Sequence, residues 1–268
     1  MIVRRTTITL AAAIASTLAL AVSGCASSAR TGAATPGGSA TPELSGTVTV
    51  FAAASLTATF TGLGKSFESA HPGTSVSFSF GGSSDLVSQI TEGAPADVFA
   101  SADETNITKA TAAGLAAGDP VDFATNVLAI AVPPGNPADI TSFADLAKPG
   151  VKTVICAPQV PCGAATAKVE AASGVTLKPV SQESSVTDVL GKVSSGEADA
   201  GIVYVTDVTA AGDRVGSVPF PESSSVVNTY PIVALKGAES AALARAFVSF
   251  VSGPEGRKVL SAAGFGAP

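Results

Sequence analysis

The chain has 268 residues, of which only 13% are charged, and its 15 basic and 21 acidic side chains give a formal charge of −6. It contains no tryptophan and two tyrosines. This acidic balance and the scarcity of aromatic side chains argue against nucleic acid as a partner, because proteins that bind it present basic surfaces and aromatic rings to phosphates and bases.

The first 24 residues predict an export signal. Two arginines precede an apolar run at 8–22, and small residues follow it. Residues 22–25, VSGC, resemble the lipobox at which bacterial lipoproteins are cleaved and acylated. We therefore expect an exported protein that is anchored by lipid on Cys25 to the outer face of the cytoplasmic membrane. The alternative is a transmembrane helix, but the run of about 15 residues is shorter than the ~20 that a span requires.

Residues 25–46 predict a flexible, lipid-anchored tether, because they are rich in glycine, proline and small residues and contain almost no large apolar side chain. Folding is expected from Thr47 onward, and about 222 residues are ample for one large domain or two small ones. Cleavage of the leader removes two arginines. The mature chain then has 13 basic and 21 acidic side chains and a formal charge of −8.

Strand-like and helix-like runs alternate from Thr47 onward. VTVFA at 48–52, SVSFSF at 75–80 and ADVFAS at 96–101 predict strands. Between them, apolar side chains spaced by three or four residues predict helices, and Gly93 is expected to end the second helix. The apolar stripes are Leu56, Phe60, Leu63 and Phe67, followed by Leu86, Val87 and Ile90. This β-α-β-α order favours a parallel sheet that is covered on both faces.

The same alternation continues through the second half of the chain. Strands are predicted in NVLAIAVPPGNP (126–137), VKTVICAP (151–158), AGIVYV (200–205) and NTYPIVAL (228–235). Helices are predicted in AATAKVEAASG (164–174), SVTDVLGKVSSG (185–196), 238–251 and 254–263. Two α/β lobes account for this order. The first comprises residues 47–125 and 236–268, and the second comprises residues 126–235, including linking strands near 126–132 and 229–235.

The cysteines are typical of an oxidising compartment. If Cys25 carries the lipid, Cys156 and Cys162 remain as an even pair and are expected to form a disulfide. A loop this short would stabilise the fold by roughly 2 kcal/mol, so the bridge would mainly fix the shape of APQVP at 157–161. The alternatives are two free thiols or a zinc site, but His71 is the only histidine and the spacing matches no zinc pattern.

Uncharged hydrogen-bond donors stand at several predicted junctions between a strand and the following helix, with no basic residue beside them. The serines at these junctions are Ser55, Ser83, Ser84, Ser184 and Ser185. Each one alone is typical of a helix N-cap, which contributes about 1 kcal/mol. Together they indicate an anion site, because helix N-termini gather at the carboxyl ends of parallel strands and their free N–H groups favour anions. Cys162 and Gly163, which begin another predicted helix, add further N–H donors.

Seven motifs, taken in chain order, resemble those of the molybdate-binding proteins of ABC importers. They are VFAAASLT, SFGGSSDL, GAPADVF followed by SAD, VPCG, SSVTDVL, GIVY and YPIVAL. The resemblance extends from Thr47 to Pro268. It implies a type II periplasmic-binding-protein fold of the α/β class, with mixed, mainly parallel sheets in two lobes and two crossing hinge strands. Such a protein closes on one tetrahedral oxyanion, here molybdate or tungstate, and needs no cofactor.

The resemblance also implies which residues bind the anion. The hydroxyl groups of Ser55, Ser83 and Tyr204 are expected to donate to it, together with the backbone N–H groups of Cys162 and Val186. The metal atom would then be held only through the oxygens of its oxyanion and not as a bare cation. The implied partners are a membrane permease and its ATPase, and the binding protein itself is expected to be a monomer.

Two positions depart from the pattern of the resembled family. Cys162 stands where a small residue is common, but a backbone donor does not depend on the side chain. Asp85 follows the serine pair where a neutral residue is frequent. It is expected to act as a favourable charge in the first turn of a helix. If it pointed inward instead, it would accept the proton of an anion such as phosphate.

Selectivity and competing functions follow from the same donors. A pocket that offers only donors penalises phosphate, which keeps a proton, whereas molybdate, tungstate and sulfate are unprotonated near neutral pH. Sulfate must be rejected by size, so a binding protein for sulfate or another oxyanion is the closest alternative. An enzyme would need a base beside Ser55 or Ser83, and no motif places His71 or a lysine there. We therefore expect a binding protein rather than an enzyme or a structural lipoprotein.

Overall fold

The computed structural model describes residues 44–268, in which strands and helices alternate. The strands are β1 (Gly46–Ala53), β2 (Thr74–Gly81), β3 (Val98–Ala100), β4 (Val121–Asn126), β5 (Leu128–Val132), β6 (Thr153–Cys156), β7 (Ser181–Glu183), β8 (Ala200–Tyr204), β9 (Gly216–Val218) and β10 (Asn228–Ala234). The α-helices are α1 (Thr57–Ala70), α2 (Ser83–Thr91), α3 (Glu104–Ala112), α4 (Pro161–Ser173), α5 (Val186–Ser194), α6 (Val205–Ala211), α7 (Ala241–Ser252) and α8 (Pro254–Ala262). Short 3-10 helices cover Ala54–Leu56, Phe143–Ala147, Gly212–Arg214 and Pro221–Ser225.

The strands form two five-stranded sheets. The first sheet has the order β2-β1-β3-β10-β4, and the second has the order β7-β6-β8-β5-β9. The predicted α/β fold with mixed sheets is confirmed. Each sheet combines two parallel with two antiparallel pairings, however, instead of being mainly parallel. The reason is that β10 in the first sheet and β5 in the second run antiparallel to both of their neighbours.

The chain passes from one sheet to the other where β4 ends and β5 begins. β4 ends at Asn126 in the first sheet, and β5 starts at Leu128 in the second. The chain returns after β9, and β10 then pairs with β3 and β4 of the first sheet. Strands before residue 127 and after residue 227 therefore build the first sheet, while strands between residues 128 and 218 build the second.

The first apolar stripe holds α1 and the preceding 3-10 helix against the first sheet. Its four residues, Leu56, Phe60, Leu63 and Phe67, are all fully buried. The Phe60 ring lies 6.3 Å from that of Phe247 in α7 and 5.7 Å from that of Phe123 in β4, measured between ring centroids. Burial of each such side chain contributes about 1.5–3 kcal/mol. The stripe therefore fixes the position of the residues between β1 and α1.

A glycine allows α5 to lie close to the second sheet. Val189 and Val193 of α5 are fully buried. A Cβ atom on Gly201 of β8 would lie 2.7 Å from the Val189 side chain and 2.9 Å from the Val193 side chain, which is closer than packed atoms approach. Because glycine has no Cβ, α5 packs directly on β8. This packing positions Val186, at the start of α5, and Tyr204, at the end of β8.

The leader, Cys25 and most of the predicted tether lie outside the described residues. The last part of that tether already belongs to the fold, because Gly46 begins β1 and its N–H donates to the Gly73 carbonyl at 3.0 Å. Leu44 also packs against the core of the first sheet. Between residues 44 and 268, no helix combines the length and the apolar character needed to cross a membrane.

Candidate anion-binding site

One cavity brings together all five residues that were predicted to bind an anion. These residues are Ser55, Ser83, Cys162, Val186 and Tyr204. The cavity is further lined by Ala53, Ala54, Gly81, Gly82, Ala102, Val160 and Pro161. None of these lining residues carries a charged side chain. Any affinity for an anion at this place must therefore come from hydroxyl groups and backbone N–H groups.

Two walls face each other across the cavity. The first wall consists of residues 53–55, 81–83 and Ala102, which follow β1, β2 and β3. The second wall consists of residues 160–162, Val186 and Tyr204, which begin α4, begin α5 and end β8. The walls approach each other closely at Gly82. A Cβ atom on Gly82 would overlap the carbonyl oxygen of Ser184, which directly precedes the N-cap of α5.

The two serines of the first wall are not N-caps. Ser83 is the first residue of α2, and Gly82 is the N-cap. The N–H groups of Asp85 and Leu86 both donate to the Gly82 carbonyl at 3.0 Å. The Ser83 N–H lies in the first turn and so has no acceptor within the helix. Ser55 lies inside the 3-10 helix that follows β1 and makes no capping hydrogen bond there. The N-cap interpretation is therefore wrong for both residues.

The hydroxyl groups of the first wall are held from behind. The Ser83 oxygen accepts a hydrogen bond from the Ala102 N–H at 3.0 Å. The Ser55 oxygen lies 3.0 Å from the hydroxyl oxygen of Tyr230, a residue of β10. Ser83 and Ser55 are only 1% and 8% exposed. Both hydroxyl groups are thus fixed in position and face a space that bulk water scarcely reaches.

The N-terminus of α4 supplies a backbone donor to the second wall. Pro161 begins the helix and has no N–H, and the Ala164 N–H is bonded to the Val160 carbonyl at 2.9 Å. The N–H of Cys162 therefore has no acceptor within the helix. The structure joins the Cys162 sulfur to that of Cys156 at the end of β6, with Cα atoms 5.7 Å apart. This link ties the start of α4 to the second sheet.

The start of α5 and the end of β8 complete the second wall. Ser185 is the N-cap of α5 and accepts a hydrogen bond from the Asp188 N–H at 3.2 Å, so the N-cap interpretation is right for this serine. Val186 is the next residue, and its N–H has no acceptor within the helix. The Tyr204 hydroxyl oxygen accepts a hydrogen bond from Asn228 Nδ2 at 3.0 Å.

Burial controls the protonation of the phenols at the cavity. It raises the pKa of Tyr204 well above the usual range, and the neighbouring Tyr230 and Asp207 raise this pKa further. Burial likewise raises the pKa of Tyr230. It also raises the pKa of the Asp207 carboxyl to about 7, although the Tyr204 N–H donates to that carboxyl at 2.9 Å and opposes the shift. Both phenols thus keep their hydrogen atoms and remain available as donors.

Two other titratable side chains lie away from the cavity. Asp85 is exposed in the first turn of α2 and does not line the cavity, so the interpretation as a favourable charge near a helix N-terminus fits its position. His71 lies at the end of α1, where its ring packs 4.5 Å from that of Phe67 between centroids. It is not among the residues that line the cavity.

Sequence reasoning missed the residues behind the cavity. Tyr230, Asn126 and Asn228 are all buried, and each contacts a hydroxyl group of the site or a partner of one. Tyr230 and Asn228 belong to the predicted strand NTYPIVAL, in which they look like ordinary strand residues. Their only signal was that they are polar groups within strands that the apolar pattern buries, since buried polar groups need hydrogen-bond partners.

Comparison with known proteins places these observations in a family. Residues 48–266 match the family model described as bacterial extracellular solute-binding protein. The chain is 51% identical over 221 residues to the molybdate-binding protein ModA of Mycobacterium tuberculosis H37Rv, covering 82% of this chain and 85% of the relative. It is 31% identical to ModA of Escherichia coli K12, covering 82% and 89%. The solved periplasmic molybdate-binding protein of Azotobacter vinelandii superposes with a TM-score of 0.73 at 27% identity, covering 82% of this chain and 99% of that one.

Proposed function

Because the chain belongs to the family of bacterial extracellular solute-binding proteins, we propose that it captures molybdate and delivers it to an ABC importer. The observation that carries this proposal is the convergence of five uncharged donor residues on one cavity without a charged side chain. The names of the relatives with 51% and 31% identity support molybdate as the ligand. The proposed role is binding for transport and not catalysis.

The proposed donors are sufficient in number for tight binding. The hydroxyl groups of Ser55, Ser83 and Tyr204, the N–H groups of the same two serines, and those of Cys162 and Val186 make seven donors. Hydrogen bonds to a charged partner contribute about 1.5–3 kcal/mol each, so seven give roughly 10–20 kcal/mol before the cost of association. That range leaves micromolar or tighter affinity. The acidic chain does not attract an anion through its net charge, so these local donors must supply the affinity.

The proposed capture closes two lobes on the anion. In this proposal, residues 47–125 and 236–268 form the first lobe and carry the first wall. Residues 126–235 form the second lobe and carry the second wall. The segments near 126–132 and 229–235 act as the hinge, and β10, which covers most of the latter segment, pairs within the first sheet. An anion that accepts hydrogen bonds from both walls binds the closed arrangement more tightly than an open one, so it shifts the protein toward closure.

The donor set defines the proposed selectivity. Tungstate is a tetrahedral dianion like molybdate, so we propose that it binds at the same place. Hydrogen phosphate carries a proton that needs an acceptor, and the exposure of Asp85 removes the one carboxylate that the sequence offered for it. Sulfate is smaller, and its oxygens would not reach all donors of a rigid cavity.

The proposed cellular location follows from the predicted export signal, the VSGC motif at 22–25 and the family. The mature chain would be a monomer held at the outer face of the cytoplasmic membrane by lipid on Cys25, with residues 25–46 as its tether. It would hand the anion to a membrane permease and the ATPase of that importer. We also propose that the bridge between Cys156 and Cys162 forms in the exported protein and keeps the Cys162 N–H directed at the cavity.

Isothermal titration of the mature chain with molybdate, tungstate, sulfate and hydrogen phosphate tests this proposal. We expect micromolar or tighter binding of molybdate and tungstate, weaker binding of sulfate, and the weakest binding of hydrogen phosphate. Sulfate or hydrogen phosphate binding as tightly as molybdate would contradict the proposed ligand. Absence of binding by all four anions would contradict the proposed site.

A further inference from the structure

We propose that Asn126 and Asn228 determine specificity by orienting the hydrogen bonds behind the cavity, so that Ser55 and Tyr204 each present a hydrogen to it. This inference rests on the proposed function and deepens it. It names two residues that touch no anion and yet decide whether a protonated or an unprotonated oxyanion is accepted.

The direction at Tyr204 follows from the orientation of the Asn228 amide. Asn228 Nδ2 lies 2.9 Å from the Ala102 carbonyl oxygen. A carbonyl oxygen only accepts hydrogen bonds, so the atom facing it must be the nitrogen of the amide and not its oxygen. The same nitrogen lies 3.0 Å from the Tyr204 hydroxyl oxygen and donates to it. The Tyr204 oxygen thus serves as an acceptor behind the wall, and in this proposal its own hydrogen points to the cavity.

The direction of the hydrogen bond at the Ser55 hydroxyl depends on Asn126, which acts through Tyr230. The Val127 N–H donates to Asn126 Oδ1 at 3.0 Å, which fixes the orientation of this amide in the same way. Asn126 Nδ2 therefore faces the Tyr230 hydroxyl oxygen, at 3.4 Å, as a donor. The Tyr230 and Ser55 hydroxyl oxygens lie 3.0 Å apart, and either hydroxyl could donate. In this proposal Tyr230, which accepts from Asn126, gives its own hydrogen to Ser55. The Ser55 hydrogen is then directed into the cavity.

The third hydroxyl group has its direction set by the backbone. The Ala102 N–H donates to the Ser83 oxygen at 3.0 Å, so the Ser83 hydrogen also points to the cavity. Ala102 is thus fixed at both ends, because its carbonyl oxygen accepts from Asn228. In this proposal all three hydroxyl groups offer a hydrogen to the cavity. A backbone N–H sets the direction at Ser83 and the Asn228 amide sets it at Tyr204, whereas the Asn126 amide acts on Ser55 through the Tyr230 hydroxyl.

As a consequence, the O–H group of a protonated anion would face a hydrogen of the cavity, and neither would have an acceptor. Hydrogen phosphate and molybdate carry the same charge of minus two, and the proton of hydrogen phosphate would meet another hydrogen. A donor without an acceptor in a buried site lowers affinity by about 5- to 150-fold. The hydrogen bonds that run from Asn126 through Tyr230 to Ser55 form a relay. Reversing their direction should therefore favour hydrogen phosphate relative to molybdate.

The substitution Asn126→Asp should reverse the direction of the hydrogen bonds that join residue 126, Tyr230 and Ser55. One carboxylate oxygen still accepts from the Val127 N–H, while the other replaces Nδ2 and accepts from the Tyr230 hydroxyl. Tyr230 must then accept from Ser55, whose lone pairs turn to the cavity. The added negative charge weakens both dianions alike, so the measured quantity is the ratio of the hydrogen phosphate to the molybdate dissociation constant near pH 8. Competition titrations against molybdate should show that this ratio falls at least about tenfold.

Tyr230→Phe is the second variant and adds no charge. It removes the relay and leaves the Ser55 hydroxyl free to rotate, so the ratio should fall by a smaller factor than in Asn126→Asp. Thr206→Val is the matched control. Thr206 also accepts a hydrogen bond from Asn126 Nδ2, at 2.7 Å, but it is not one of the residues that link Asn126 to Ser55. The ratio of the two dissociation constants in Thr206→Val should therefore equal that of the wild type.

The outcomes separate this inference from the proposed function. A wild-type protein that binds no molybdate overturns the proposed function and the relay together. Wild-type binding of molybdate with an unchanged ratio in both Asn126→Asp and Tyr230→Phe, or with hydrogen phosphate still unable to displace molybdate from either, overturns the relay alone. If Asn126→Asp does not fold by circular dichroism, the ratio in Tyr230→Phe decides.

Discussion

The two walls of the cavity use different chemistry. In the proposed site, the first wall offers the side-chain hydroxyl groups of Ser55 and Ser83 together with their N–H groups, whereas the second wall offers mainly the backbone N–H groups of Cys162 and Val186, with one phenol from Tyr204. A hydroxyl donor depends on the identity of the residue. A backbone donor depends only on where a helix begins, which explains how a disulfide cysteine and a core valine can serve at an anion site.

In the proposed site, the two walls must also lie close together. The substitution Gly82→Ala should hold them apart. Its Cβ would overlap the Ser184 carbonyl oxygen, so the second wall and its three donors would be held away. Loss of three bonds to a charged ligand costs at least about 4.5 kcal/mol, or more than about a thousandfold in affinity. Titration with molybdate measures this loss. Gly62→Ala is the control, because a Cβ at that exposed position in α1 meets nothing within 4 Å.

Wild-type affinity in Gly82→Ala would show that binding does not require the two walls to approach each other. A parallel loss in Gly62→Ala would show that the effect comes from helix changes in general and not from this contact.

Asp207 makes the region behind the second wall sensitive to pH. Its pKa is raised from 3.8 to about 7 in the folded protein, so the folded state holds a proton there that the unfolded chain releases between these values. Its contribution to stability therefore falls as the pH rises from about 4 to about 7, by on the order of 4 kcal/mol. Asp207→Asn, whose side-chain oxygen can still accept from the Tyr204 N–H, should lose this dependence. Urea unfolding at pH 4 and pH 8 should show a variant that becomes more stable than the wild type only at the higher pH.

An equal difference between variant and wild type at both pH values would mean that Asp207 does not titrate in this range. A variant less stable than the wild type at pH 8 would mean that the ionised carboxylate stabilises the fold.

The contrast between hydroxyl and backbone donors can be measured with Ser83→Ala and Val186→Ala. Ser83→Ala removes a donor and should weaken molybdate binding by about 1.5–3 kcal/mol. Val186→Ala keeps its N–H and should leave affinity within about 0.5 kcal/mol, while the lost core contacts lower the free energy of unfolding by about 1–3 kcal/mol. Titration gives the molybdate affinity of each variant, and urea unfolding gives its free energy of unfolding. Equal losses of affinity in the two variants would contradict the division of chemistry between the walls.

Periodic features of the fold could be predicted from the sequence. The apolar stripe from Leu56 to Phe67 and the alternating run SVSFSF became α1 and β2, because an apolar face packed on the core, fully buried in α1 and partly buried in β2, is enough to define such elements. α3, with the sequence ETNITKATA, was missed since it buries only Asn106, Ile107 and Ala110. β7 and β9 have three residues each, too few to show a period.

The candidate site could be predicted only in part. Serine, glycine and cysteine at the ends of strands signalled free N–H groups, and the five residues inferred from the family motifs line one cavity. The groups behind it come from distant parts of the chain, as the separation of 104 residues between Asn126 and Tyr230 shows. No local pattern records such a contact. Asn126, Asn228 and Tyr230 therefore became visible only once the strands were paired.

A crystal structure of the mature chain with molybdate, in which anomalous scattering locates the molybdenum atom, would show whether the five donor residues bind the anion. We expect one molybdenum atom between the walls, with its oxygens within hydrogen-bond distance of the Ser55, Ser83 and Tyr204 hydroxyl groups and of the Cys162 and Val186 nitrogen atoms. No lysine or arginine should contact the anion. An ion bound elsewhere, or held by a basic side chain, would rule out the proposed site.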